Sequence, residues 1–135
     1  MRVKNVLLVE DSRLFVRIVT DMVIESGIDV RIVSVTRGEE ALVVLDLDPD
    51  IVGVLLDVSL AGDLTGLDVL ERLRKSPDPR KRGMVASLLT GTRLFDDKAR
   101  ALGAGVIPKP AVLSDMPQTE DSVRAFCRVA LGSTV

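Results

Sequence analysis

Five short runs of apolar residues punctuate the chain, and aliphatic residues dominate them. They occur at Val6 to Val9, Val30 to Val35, Ile51 to Leu56, Met84 to Leu89 and Gly105 to Ile107. Runs of this length with little polar alternation predict strands that are buried on both faces, as in a parallel sheet. Arg31 and Ser34 interrupt the second run, so we expect that strand to lie at the sheet edge.

The segments between the strands carry apolar residues at helical spacing. They are Leu14, Ile18 and Met22; Ala41, Leu42 and Leu45; Leu67, Leu70 and Leu73; Leu94, Ala101 and Leu102; and Val123, Phe126, Cys127 and Ala130. This alternation predicts an α/β fold, a doubly wound parallel sheet of five strands with five helices on its two faces. The Lys75 to Gly83 segment has two prolines and several basic residues, which favours an exposed connection over a domain linker. Residues 1–135 are therefore expected to form one domain.

Composition excludes several kinds of chemistry. The chain has a formal net charge of -2, and no block of like charge indicates a nucleic-acid partner. The absence of histidine excludes Ser-His-Asp hydrolysis, His-ligated zinc and phosphohistidine chemistry within the chain. The single cysteine, Cys127, cannot form an internal disulfide, and no apolar run reaches the roughly 18 residues of a membrane span. We expect a cytoplasmic protein that does not insert into a membrane.

Three acidic residues follow apolar strands directly. Glu10 and Asp11 come after the first strand, and Asp57 comes after the third. In open α/β sheets, ligands bind outside the carboxyl ends of the strands, so neighbouring first and third strands would bring these carboxylates together. A hard divalent cation, Mg2+ or Mn2+, would then neutralise their repulsion. Asp11 and Ser12 could equally act as an N-terminal cap of the first helix.

The fourth and fifth strands also end in polar residues. Thr90 follows the fourth strand, and Lys109 follows the fifth between two prolines. Taken singly, Thr90 could be a helix N-cap and Lys109 an ordinary solvated lysine. Taken together, the positions predict a site in which Asp57 is a nucleophile for a phosphoryl group. Glu10 and Asp11 would hold the metal, Thr90 would donate a hydrogen bond, and Lys109 would oppose phosphoryl charge.

These positions make the chain resemble the receiver domains of bacterial two-component response regulators. The matching segments are Val9-Glu10-Asp11-Ser12, Leu55-Leu56-Asp57-Val58, Gly66-Leu67-Asp68-Val69-Leu70, Leu88-Leu89-Thr90-Gly91 and Pro108-Lys109-Pro110. Each motif is weak alone, but their order and spacing are specific and extend over essentially the whole chain. The resemblance implies a flavodoxin-like fold with strand order 2-1-3-4-5.

The resemblance also implies how such a site works. A sensor histidine kinase or a phosphotransfer protein would supply the phosphoryl group from its own histidine. Asp11, Asp57 and the main-chain carbonyl of Ser59 would bind Mg2+. Glu10 would act through metal-bound water. Movement of Thr90 toward phosphorylated Asp57 would remodel the surface of the fourth predicted helix, fifth strand and fifth predicted helix, and thereby change binding to a downstream effector protein.

The chain departs from the family in three places. Val106 occupies the position of the family's switch aromatic, and the chain has neither Tyr nor Trp. Only 19 positions separate Thr90 from Lys109, so the fourth predicted helix or its flanking loops should be shortened. Ala61 replaces the family's proline in a loop with an extra residue, which predicts a more mobile loop and an altered lifetime of the phosphoryl group.

Two other functions share parts of the pattern. A pseudo-receiver, which binds partners without phosphorylation, would explain the missing aromatic at Val106. An aspartyl-phosphate phosphohydrolase would share the nucleophile, but such enzymes carry a second aspartate two residues later, where this chain has Ser59. Turnover of external substrates is therefore not expected. Ser59 and Thr92 should instead modulate self-dephosphorylation of Asp57, because they should flank the path of an attacking water.

Overall fold

The structure, a computed structural model, describes residues 3–60 and 62–132. Its centre is a five-stranded parallel sheet with the order β2-β1-β3-β4-β5, as predicted. The strands are β1 (Lys4–Val9), β2 (Val30–Val35), β3 (Ile51–Asp57), β4 (Val85–Thr90) and β5 (Gly105–Pro108). The position of β2 at an edge is also confirmed, and the two residues that predicted it, Arg31 and Ser34, are exposed.

Six helices flank the sheet within the described residues, one more than the sequence predicted. They are α1 (Arg13–Ser26), α2 (Gly38–Leu47), α3 (Gly66–Arg74), α4 (Pro79–Arg82), α5 (Asp96–Ala101) and α6 (Met116–Ala130). The additional helix, α4, is a single turn inside the predicted Lys75 to Gly83 connection. Asp78 caps it by accepting a hydrogen bond from the amide of Arg80 at 2.9 Å. So short a helix has no apolar periodicity, which is why the predicted count of five was wrong.

The sheet separates two hydrophobic cores, and the strands supply side chains to both. Val6 and Leu8 of β1 pack with α1 and α6, whereas Leu7 and Val9 pack with α2, α3 and α5. This explains why the strands are apolar at successive positions. Leu14 and Leu94, which the helical spacing placed among the apolar positions, are 71% and 83% exposed. No helix in residues 3–60 and 62–132 combines the length and apolar character needed to cross a bilayer.

Arginines stabilise the end of the sheet opposite the carboxyl ends of the strands. Arg80 donates to the carbonyls of Leu45 at 2.6 Å and Ile51 at 3.3 Å. Arg74 donates to the carbonyls of Leu102 at 2.6 Å and Met84 at 2.8 Å. These carbonyls lie at or next to the ends of helices and strands, where backbone acceptors need partners from outside the element. The basic residues around the Lys75 to Gly83 connection therefore have a structural use.

Strand register aligns the carboxyl ends of the four strands beyond β2. Val9 pairs with Leu56, Asp57 pairs with Leu89, and Thr90 pairs with Pro108. The chain leaves the sheet at nearly the same level in each case. Residues immediately after these pairs therefore converge at the carboxyl end of the sheet.

Candidate functional site

Three carboxylates meet at the carboxyl end of the sheet. Glu10 and Asp11 follow β1, and Asp57 is the last residue of β3. One carboxylate oxygen of each lies within 4.8 Å of the others. Glu10 and Asp57 are buried, whereas Asp11 is exposed. The sequence prediction that these residues are brought together is confirmed, and oxygen donors at this spacing fit a hard divalent cation.

Lys109 provides a positive charge between two of the carboxylates. Its Nζ lies 2.5 Å from Oε1 of Glu10 and 3.2 Å from Oδ2 of Asp57. It also lies 4.9 Å from the ring centroid of Phe15, which favours the cation. The Lys109 amide donates to the carbonyl of Thr90 at 2.9 Å, which fixes the backbone. Lys109 is therefore fixed in the site by its contacts with Glu10, Asp57 and Phe15 and is not a freely solvated lysine.

Glu10 is held on both carboxylate oxygens. Oε1 accepts from Lys109, and Oε2 accepts from the amides of Asp11 at 2.9 Å and Ser12 at 3.5 Å. Burial raises the pKa of Glu10 to about 7, the neighbouring Asp57 adds to the rise, and Lys109 opposes it. Burial would lower the pKa of Lys109, but its bonds with Glu10 and the charge of Asp57 raise it instead. One lysine thus faces two buried carboxylates, so a further cation fits the electrostatics of the site.

The start of α1 shows which of the two predicted roles, metal binding or helix capping, Asp11 and Ser12 can have. Ser12 is the N-cap residue, and its Oγ accepts from the amide of Phe15 at 3.2 Å. Asp11 is left to line a cleft of about 430 Å³ together with Asp57 and Lys109. Capping is therefore the work of Ser12, and the Asp11 carboxylate faces the cleft.

Thr90 lines the same cleft but directs its hydroxyl to a neighbouring turn. The hydroxyl donates to the carbonyl of Thr92 and accepts from its amide, both at 3.1 Å. The alternative reading of Thr90 as a helix N-cap is wrong, because α5 begins after Phe95. To donate a hydrogen bond to anything bound in the cleft, the Thr90 hydroxyl would have to give up its bond to the Thr92 carbonyl.

The loop after Asp57 borders the cleft and returns close to it. The amide of Ser59 donates to Oδ1 of Asp57 at 3.2 Å, and the amide of Gly66 donates to the carbonyl of Val58 at 3.3 Å. A Cβ at Gly66 would lie 2.2 Å from the Asp57 carbonyl oxygen, so only glycine allows α3 to begin there. Ser59 and Thr92, the predicted modulators, both line the cleft. Ala61, on which the prediction of loop mobility rests, lies outside the described residues.

Two aromatic residues of the site were missed by sequence reasoning. Phe15 lies under Lys109, and Phe95 lines the cleft beside Asp57 from the segment that precedes α5. Val106, at the position of the family's switch aromatic, is half-buried on β5 and borders a second cleft of about 560 Å³. The only signal in the sequence was scarcity: three phenylalanines are the whole aromatic content of the chain.

Comparisons with known proteins agree with this geometry. A family model described as the response regulator receiver domain matches residues 6–119. No curated protein sequence matches the chain. The structure resembles the Mn2+-bound form of response regulator Rcp1 with a TM-score of 0.79 and 25% identity, over 98% of this chain and 97% of that one.

Two further solved structures show the same fold. A response regulator receiver domain from Rhodospirillum rubrum gives a TM-score of 0.74 at 25% identity, over 97% of this chain and 94% of that one. The chemotaxis response regulator CheY4 of Vibrio cholerae gives 0.70 at 21% identity, over 90% and 99%. With the family model covering most of its length, the chain belongs to the response regulator receiver domain family.

Proposed function

We propose that the chain is a cytoplasmic phospho-acceptor domain, formed by residues 1–135, in which Asp57 receives a phosphoryl group. The donor would be a phosphohistidine of a sensor histidine kinase or phosphotransfer protein, since the chain has no histidine of its own. A carboxylate oxygen of Asp57 would form a bond to phosphorus while the phosphorus–nitrogen bond of the donor breaks. The leaving imidazole would take up a proton.

The observation that carries this proposal is the ion pair between Lys109 and Asp57. Nζ of Lys109 lies 3.2 Å from Oδ2 of Asp57, so its charge is already placed where a phosphoryl group on that oxygen would carry its own negative charge. Thr90 lines the same cleft and can donate a hydrogen bond after its hydroxyl turns. Lys109 is oriented by the fold before any phosphoryl group arrives, which lowers the cost of reorganisation.

The carboxylates fit a divalent cation, Mg2+ or Mn2+. Asp11, Asp57 and the main-chain carbonyl of Ser59 would hold it, and Glu10 would act through bound water. Such a cation supplies neutralisation of phosphoryl oxygens during transfer. The similarity to the Mn2+-bound form of Rcp1 supports the choice of a divalent ion.

The proposed output is a change in protein–protein contacts. Phosphorylation of Asp57 would draw the Thr90 hydroxyl from the Thr92 backbone and shift the segment that leads into α5. An effector protein that binds one arrangement better than the other would read the change. A pseudo-receiver is not favoured, because the acceptor, the acidic pair and the lysine are all assembled.

Intact mass spectrometry tests the proposal. The protein is incubated with a small-molecule phosphodonor, with and without Mg2+, beside an Asp57→Asn variant. We expect a metal-dependent gain of one phosphoryl group in the wild type and none in the variant. If the wild type gains no phosphoryl group under conditions that preserve aspartyl phosphate, the chain is better interpreted as a pseudo-receiver.

A further inference from the structure

The loop that follows Asp57, the proposed acceptor, is held by Glu39, which lies on a different element, α2. It lies in the first turn of α2, and its Oε1 accepts hydrogen bonds from the amides of Asp63 at 3.2 Å and Leu64 at 3.1 Å. Two backbone donors on one carboxylate oxygen are charge-assisted hydrogen bonds and hold the peptide in place. The loop between β3 and α3 is therefore attached to α2 in its C-terminal half.

Gly38 makes this attachment sterically feasible. A Cβ at Gly38 would lie 2.8 Å from Cβ of Leu64 and 2.8 Å from Cγ2 of Val69. Without a side chain at Gly38, the start of α2 packs directly on the loop and on α3. The next residue, Glu39, then reaches the loop amides with its short side chain.

The second carboxylate oxygen is enclosed as well. Oε2 of Glu39 is buried without a hydrogen-bond partner among the described residues, and a Cβ at Gly62 would lie 3.1 Å from it. Gly62 has φ +96°, a conformation that favours glycine. Bonds from its own amide and from those of Leu64 and Asp63 lower the pKa of Glu39, which keeps it charged. The Glu39 carboxylate therefore binds the loop in its charged form.

The anchored loop bears directly on the acceptor cleft. At its start, Ser59 lines the cleft and donates its amide to Asp57. At its end, Gly66 packs against the carbonyl of Asp57. Between them, side-chain hydrogen bonds tie the described part of the loop to α3 through Thr65 and Asp68, and to α2 through Glu39. Glu39, which does not line the cleft, therefore anchors the same loop that carries Ser59.

We propose that Glu39 is a positioning residue, which holds the loop after Asp57 so that the Ser59 main chain is placed for the metal ion and access of water to the acceptor is restricted. The inference rests on the proposed function for the role of the loop in phosphoryl lifetime. The anchoring itself is a property of the metal-free protein. It compensates for the lengthened loop, because two backbone amides are fixed where the chain would otherwise have greater freedom.

Amide hydrogen exchange and Mg2+ titration of the isotope-labelled full chain test the inference. In Glu39→Ala we expect loss of protection at the amides of Asp63 and Leu64 and about tenfold weaker Mg2+ binding, the usual scale for a residue that orients a ligand. Glu39→Gln keeps an acceptor oxygen, so it should restore part of both. The phosphorylated Glu39→Ala protein should also lose its phosphoryl group faster than the wild type.

The matched control is Glu40→Ala, which removes the same charge from the adjacent, exposed position, where the carboxylate accepts from the Thr36 hydroxyl. Identical exchange and Mg2+ affinity in Glu39→Ala and Glu40→Ala would overturn the inference. Glu39→Gln serves if Glu39→Ala does not fold. Failure of the wild type to accept a phosphoryl group would remove the proposed function, but the exchange and Mg2+ measurements would still decide the anchoring role.

Discussion

At the scale of single residues, the site depends on one lysine among carboxylates. Lys109 pairs with Glu10 and Asp57, whose side chains are 0% and 7% exposed. Two buried negative charges in one place destabilise a fold unless cations offset them. The metal-free protein therefore uses Lys109 for stability as well as for any later chemistry.

Replacement of Lys109 should expose this dependence. We expect Lys109→Ala to lower the free energy of unfolding by about 2–3 kcal/mol without divalent metal, less than for a fully buried pair because Lys109 is 27% exposed. Mg2+ should recover part of the loss, since a bound cation stabilises the folded state by mass action. Urea unfolding with and without Mg2+ measures both effects. Equal destabilisation by Lys98→Ala, an exposed lysine on α5, would contradict the assignment.

Glu10 should give the metal-free protein an unusual pH dependence. Its folded-state pKa of about 7 exceeds its ordinary value of 4.5, so the folded state binds more protons between these values. The associated stability is fully present below pH 4.5 and is lost as the pH rises toward 7. We expect a decline on the order of 1–3 kcal/mol across this window. Urea unfolding in the presence of a chelator measures it, and Glu10→Gln should flatten the slope; an unchanged slope would argue against Glu10 as its source.

At the scale of elements, Arg74 joins three parts of the fold. From the last turn of α3 it donates to the carbonyls of Met84, before β4, and of Leu102, after α5. Arg74→Ala would leave those acceptors without a partner, which we expect to cost about 2–3 kcal/mol. Denaturant midpoints beside Arg72→Ala, an exposed arginine on the same helix, measure the difference. Equal midpoints for the two variants would show that water replaces Arg74.

The segment between β4 and α5 should respond to phosphorylation through Thr90. If the Thr90 hydroxyl turns toward phosphorylated Asp57, the Thr92 carbonyl loses its hydrogen bond, and we expect the segment up to Phe95 at the start of α5 to shift. We expect amide NMR shifts from Thr92 to Phe95 on phosphorylation of the wild type and of Thr90→Ser. Thr90→Val should gain the phosphoryl group without those shifts. Matching shifts in Thr90→Val would mean that another group transmits the change.

At the scale of the whole molecule, the sheet and the cluster of polar residues at its carboxyl end were predictable, because both follow from local patterns. Apolar runs specified the strands, and the polar interruptions at Arg31 and Ser34 placed β2 at the edge. The convergence of Asp11, Asp57, Thr90 and Lys109 on one cleft followed from which residues end each strand. No pattern pointed to Arg80, because its acceptors are backbone carbonyls 29 and 35 positions away. Backbone acceptors carry no side-chain signature, and for the same reason the loop contacts of Glu39 were invisible in the sequence.

The ion pair between Glu10 and Lys109 also has a consequence for folding kinetics. It joins residues 99 positions apart, so most of the chain lies inside the loop that it closes. Such distant contacts slow folding, because the entropy of closure is lost before the contact forms. In the sheet, β3 and β4 lie between β1 and β5, so we expect the lysine to reach the acidic pair only once these strands have paired. We therefore expect the site around Asp57 to assemble in a single late step of folding, and any capacity to accept a phosphoryl group to appear only with that step.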